Sequence, residues 1–189
     1  QFIKMADTMT GVESKLKLVT KNTLDLTIAQ QELFQISQKT RQGYAETVNT
    51  YSNFALAMGE MGKSQKDILR VTETVNKAIA ISGGTAQMAA AATMQLGQAF
   101  ASGTLRGDEL NSILENSKGL AQAIADGMGV PIGKLRTLGS EGKITAEILA
   151  TALEKSAKSV DEKFGKVGVT VDASMTVLAN SITNMIGKV

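Results

Sequence analysis

The chain has 189 residues and a mass of 19.9 kDa, enough to bury a core without disulfide or metal staples. It contains no Cys and no His, which excludes a disulfide framework, a zinc ribbon, a thiol nucleophile, a Ser–His triad and most transition-metal sites. Its 20 basic and 18 acidic side chains leave a net charge of +2, spread evenly along the sequence, so no bulk field recruits nucleic acid.

Pro occurs once and aromatics make up 4%, a composition suited to long helices packed through Ala and Met. Because Gln1 opens the chain, we expect a processed or excised segment of a larger product. Lys4 and Asp7 interrupt any apolar run in residues 1–12, so these do not read as a signal peptide. Lys15-Leu16-Lys17-Leu18-Val19 alternates with period two and predicts a short strand or extended arm over 1–22. Leu26, Ala29, Leu33, Ile36 and Thr40 then follow helical spacing, as do Tyr44, Val48, Tyr51, Ala55 and Met58, with Gly43 separating the two.

Ser64 and Asp67 predict a capping-box start for a helix with Ile68, Val71, Val75 and Ile79 on its buried face. Lys66, Arg70, Glu73 and Lys77 lie opposite and read as a solvated face, with Glu73 and Lys77 as a surface pair. Ser82-Gly83-Gly84 ends that helix. Thr85 caps the next, through Met88, Ala92, Leu96, Ala99 and Phe100 to a stop at Gly103. The charge-free stretch Ala78–Leu105 holds Gln87, Gln95, Gln98 and the glycine break, which argue against a membrane span.

Asp108 and Glu109 suit the first turn of a helix carrying Leu110, Ile113 and Leu114. The pattern changes phase near Asn116–Gly119 and continues through Leu120, Ile124 and Met128. Pro131 is placed at the first position of a short helix through Leu135 and Leu138, closed by Gly139. Thr145 caps a helix carrying Ile148, Leu149, Ala152 and Leu153. Val171, Met175, Leu178, Ile182 and Met185 then repeat at 4-3-4-3, a two-heptad seam that needs a partner. The fold class expected is mainly α, about seven to eight helices joined by Gly-rich turns, with a short N-terminal strand. We expect an N-terminal arm over 1–22, a helical domain over 23–160, and a linker with an amphipathic helix over 161–189 leading into a longer chain.

Catalytic motifs are weak. The acids Asp108/Glu109 and Asp161/Glu162 are adjacent and diverge by about 100° on a helix, so they do not flank a substrate. The glycines Gly97, Gly103 and Gly107 lack a P-loop's GK[ST]. Gly62-Lys63-Ser64 supplies that ending, but Ala57 stands where its first glycine belongs and no strand precedes it. Val130–Leu153 resembles a helix-turn-helix, yet residues 104–150 carry five basic and six acidic side chains and Glu147 sits where phosphate contacts are wanted. No cofactor or metal site is expected, and no sequence-specific nucleic acid.

The run Leu96–Glu115, with Leu120-Ala121-Gln122-Ala123-Ile124-Ala125, Gly129-Val130, Lys134-Leu135-Arg136 and Glu141–Glu147, resembles the tape measure domain of tailed bacteriophages. Ser82-Gly83, Tyr51 and Thr40-Arg41 also match family positions, and the likeness covers about Leu33 to Ile186. Many relatives carry a proline just before the Gly119-Leu120 equivalent, where this chain has Lys118, which predicts a more continuous helix joint here.

The resemblance implies a structural protein of the phage or prophage tail, assembled in the host cytoplasm and carried in the virion. Tape measure proteins are long helical chains present in several copies inside the tail tube, which polymerises around them and takes its length from theirs. They later leave ahead of the genome. The partners implied are other copies of the chain and the tail tube and assembly proteins, with membrane contact confined to ejection. The parent product should then be several times longer than this segment.

In this reading Gly103, Arg106, Gly107, Glu109 and Leu110 form an architectural corner. The two glycines permit tight turns, and Arg106 bonds helix carbonyls or pairs with Glu109 or Glu115. The seam Val171, Met175, Leu178, Ile182 and Met185 is the candidate for self-association, with an antiparallel partner inside the chain as the alternative. Two other functions compete: a peptidoglycan-degrading module, which needs a buried glutamate in a cleft, and a helix-turn-helix DNA reader.

Overall fold

A computed structural model of the chain describes residues 2–186, with side chains described for 7–185. Among the described residues there are ten helices: α1 (Phe2–Val19), α2 (Thr23–Thr40), α3 (Tyr44–Glu60), α4 (Gln65–Ser82), α5 (Ala86–Ser102), α6 (Gly107–Asn116), α7 (Lys118–Met128), α8 (Ile132–Ser140), α9 (Ala146–Phe164) and α10 (Val171–Ile186). The mainly helical class holds, but the helix number exceeds the seven to eight expected. The N-terminal strand is also corrected: Lys15–Val19 closes α1, where Val12 and Leu16 are buried one turn apart while Leu18 is exposed.

Caps set the boundaries. The capping box at α4 is complete, with the Asp67 amide donating to Ser64 Oγ (3.2 Å) and the Ser64 amide donating to Asp67 Oδ2 (3.1 Å). Those Ser64 bonds hold the Asp67 carboxyl below its ordinary range. Thr85 and Thr145 accept from Met88 and Ile148 amides as their spacing predicts. Pro131 stands just outside α8 as its N-cap rather than inside it, and Gly139 lies buried within α8 instead of ending it. The joint at Lys118 is a break and not a continuation. Ser117 leaves the helical conformation between α6 and α7, and its hydroxyl accepts from the Leu120 amide (3.3 Å).

Helix α4 is the centre of the packing, touching α2, α3, α7 and α9. Its stripe of Ile68, Val71, Val75 and Ile79 is buried, as are Leu33 and Ile36 of α2 and Tyr51, Phe54 and Met58 of α3. Phe54 meets Phe100 edge to face at 5.1 Å, which ties α3 to α5. Helix α7 presses on α4 and α9 at backbone distance. A Cβ on Gly119 would lie 2.2 Å from the Ala78 carbonyl oxygen, and one on Gly127 would lie 1.8 Å from that of Ala152.

The solvated face expected along α4 does not extend to Lys77. Its side chain is 4% exposed, and its ammonium bridges Glu73 (2.5 Å) and, from α9, Asp161 (2.6 Å). Lys39 of α2 reaches the same Glu73. Burial pushes the Lys77 ammonium down, but its bonds to Asp161 and Glu73 outweigh this and keep it above its ordinary value. Burial likewise raises the Glu73 carboxyl, and the bonds from Lys39 and Lys77 bring it below its ordinary range. This four-charge node ties α2, α4 and α9 together.

The two glycine contacts make a paired prediction. Gly127→Ala forces α7 away from α9 and costs about 3 kcal/mol, lowering Tm by roughly 10 °C in calorimetry. Gly133→Ala, in open space on α8, stabilises by up to about 1 kcal/mol. Equal responses of the two variants would refute the close-packing account.

Candidate functional site

Two features collect the residues singled out by sequence: a corner where distant loops meet, and the outer face of α10. At the corner, α5 ends in Gly103, whose φ of 82° lies in the left-handed region that favours glycine. The chain then pairs with the loop before α9. The Leu105 amide donates to the Ile144 carbonyl (2.8 Å), and the Ala146 amide donates to the Gly103 carbonyl (2.8 Å). These bonds form an isolated antiparallel bridge between Thr104 and Thr145. Leu105 and Ile144 are both fully buried beneath it.

Helix α6 leaves this bridge and docks on α8. Leu110 is fully buried, and its Cδ2 would lie 2.8 Å from a Cβ on Gly139. A Cβ on Gly107 would lie 4.0 Å from Ser140 Cα. Arg106 is the N-cap of α6, with an exposed side chain that makes no capping bond. The expected ion pair to Glu109 or Glu115 does not form: among the described residues no salt bridge involves Arg106. Glu115 is exposed, and Glu109 turns Oε2 into the body, where it is buried without a hydrogen-bond partner.

The outer face of α10 carries the seam. Val171, Met175, Leu178, Ile182 and Met185 are 79%, 59%, 53%, 42% and 70% exposed. The helix is held by its opposite face. Asn180, buried, accepts from the Tyr44 amide (2.9 Å) and donates to the Gln42 carbonyl (2.8 Å) and to Ser37 Oγ (3.3 Å). Gln38 donates to Ser181 Oγ at 2.7 Å.

Arg41 fixes the approach to α10. Its guanidinium donates to the carbonyls of Val167 (3.3 Å) and Gly168 (3.2 Å) and lies 5.1 Å from the Phe164 ring centroid. Its own backbone is left-handed at φ 59°, a conformation costly for a side-chain-bearing residue. Sequence spacing pointed to neither role, and the Thr40-Arg41 signal came only through resemblance.

A cavity of about 260 Å³ opens beside α10, lined in part by Arg41, Glu46, Thr47, Thr50 and Asn76. Its polar groups bond one another, with Asn76 donating to Thr47 Oγ1 (3.0 Å) and the Thr47 and Thr50 hydroxyls to backbone carbonyls. Among the described residues no cluster of three or more metal-ligating side chains forms. No described helix is long and apolar enough to cross a membrane. The α8–turn–α9 unit packs inward through Leu149, Ala150 and Leu153, and its first turn presents Glu147 to solvent.

A family model described as tape measure protein matches residues 1–189. The chain belongs to the tape measure protein family. No curated protein and no solved structure matches it. This is a family of structural phage proteins, which places the chain among components of the tail. The runs Gly103–Leu110 and Glu141–Glu147, far apart in sequence, are brought together by the Thr104–Thr145 bridge.

Gly103→Ala should strain that corner without a clash, since nothing lies within 4 Å of the added Cβ. We expect a loss of about 1 kcal/mol. Hydrogen exchange at the Leu105 and Ala146 amides should accelerate more than exchange in α4; uniform acceleration would show that the bridge is not a local lock.

Proposed function

We propose that this chain is a folded module of a tail tape measure protein, acting in tail assembly and length determination inside the tube and later in genome ejection. Membership of the family carries the reading. The fold supports a division of labour. A helix advances 1.5 Å per residue, so a continuous helix of this length would span about 280 Å. The longest helix described has 19 residues and spans about 28 Å, with α4, α5 and α7 packed beside it. A module so folded marks a position on a ruler, and the continuous rod of the parent product supplies the length. In-frame deletions within that rod should shorten tails by about 1.5 Å per residue in electron micrographs. Tails of unchanged length would overturn the ruler role.

We also propose that the module makes and breaks no bonds. A glycosidic general acid needs a carboxyl held above its ordinary range. Glu109 buries Oε2 but does not line the cavity beside α10, Glu115 is exposed, and the Lys143 ammonium bonded to the exposed Glu141 holds that carboxyl below its usual range. Cell-wall zymography with the intact chain should show no clearing. Clearing that disappears in Glu109→Gln, Glu115→Gln or Glu141→Gln would replace this reading with a muralytic one.

A further inference from the structure

Every helix from α1 to α9 buries at least one large apolar side chain, and such burial is what holds a helix against its neighbours. Helix α10 is held otherwise. Of its described side chains Asn180 alone is buried, and no apolar one larger than Val177 is even half-buried. Hydrogen bonds such as those of Asn180 and Ser181 are nearly matched by water once broken, so they orient α10 more than they stabilise it.

The segment leading into α10, residues 165–170, is largely exposed, and Arg41 grips it at Val167 and Gly168. Position 41 closes α2 as a glycine would. Its φ is 59°, and the Arg41 and Gln42 amides donate back to the Gln38 and Ser37 carbonyls (3.4 and 3.1 Å). Among the described residues no other side-chain-bearing residue has a positive φ. Glycine makes such a turn at less cost, so what arginine adds here is its hold on residues 167–168 and on the Phe164 ring.

From this we infer that α10 and the segment before it form a strap, which opens and closes as a unit over the α2–α3 turn while α1 to α9 stay folded. It has two fasteners: Arg41 on the segment, and Asn180 on the Tyr44 amide and Gln42 carbonyl. Thr176 of α10 is part of the wall of the cavity of about 260 Å³, so opening the strap removes that wall and widens the cavity to solvent. It also strips the Tyr44 amide, which as the first of α3 has no partner within its own helix.

Native-state hydrogen exchange on the intact chain, followed by NMR and corrected for intrinsic rates, tests this. The α10 amides should exchange at least about a hundredfold faster than those of α4, and the Tyr44 amide should follow α10 rather than its own helix. Arg41→Gly removes one fastener while easing the turn. It should speed exchange in α10 and at Tyr44 by about tenfold and leave α4 unchanged. Asn180→Ala should release α10 in the same way from the other fastener. Protection of α10 equal to that of α4 overturns the proposal. So does an Arg41→Gly variant that leaves α10 exchange unchanged, or that accelerates α4 as much as α10.

Discussion

The fold depends on how closely α7 lies against α4 and α9. Helix axes in proteins are ordinarily held 8–10 Å apart by the side chains between them. At Gly119 and Gly127 there are none, and the α7 backbone touches the carbonyls of Ala78 and Ala152 directly. The glycine at each end acts as a clamp, one to α4 and the other to α9. Ser82 secures the first, accepting from the Gly119 amide at 2.8 Å and bonding the Ser117 hydroxyl at 2.8 Å. Between the clamps Ala121, Ala123 and Ala125 are buried to 1% exposure or less, and Ile124 fills the space they leave. A core of small residues is stable here because the backbones come near enough for short side chains to fill it.

That proximity has an electrostatic consequence. Lys77 precedes Ala78, one of the contact points, and is carried into the interface between α4 and α9. A buried ammonium is tolerated only when paired, and removing its partners costs more than an exposed pair ever contributes. Glu73 on the same helix and Asp161 on α9 supply the pairing, and Lys39 balances Glu73 in turn. The node adds a directional contact to the apolar packing of α4 on α9, with Lys77 meeting Asp161 in the observed register.

Much of the helical pattern was legible because it is local. The α4 stripe, the Ser64–Asp67 box and the Thr85 and Thr145 caps are set within a turn or two of the residues that encode them. What misled was also local. Lys15–Val19 alternates like a strand, but burial of Val12 and Leu16 one turn apart decides for a helix, and that burial comes from α2 and α3 packed against α1. Lys77 read as solvated because its partner Asp161 is 84 residues away. The corner was visible only as a family signature. Nothing in Gly103–Leu110 says that it pairs with Ile144–Ala146, and Arg106, the residue with the most conspicuous chemistry, takes no part in the joint beyond its backbone. The α10 seam could be read as a stripe, but its outward orientation follows from Asn180, whose partners lie on α2, α3 and the loop between them.

The same long-range bonds bear on how the fold responds when its chain is pulled. The Thr104–Thr145 bridge, the Lys77–Asp161 pair and the Asn180–Tyr44 bond each close a loop of dozens of residues. The three closures are nested, so a pull on the ends of the chain loads the Asn180–Tyr44 bond first and shields the Thr104–Thr145 bridge until the outer two yield, whereas a lone helix yields turn by turn. A fold closed in this way opens from its ends inward and keeps its central bridge until last. Its glycines thus serve cohesion rather than flexibility: at Gly119 and Gly127 they bring helices into contact, and at Gly103 they set the single turn on which the bridge depends.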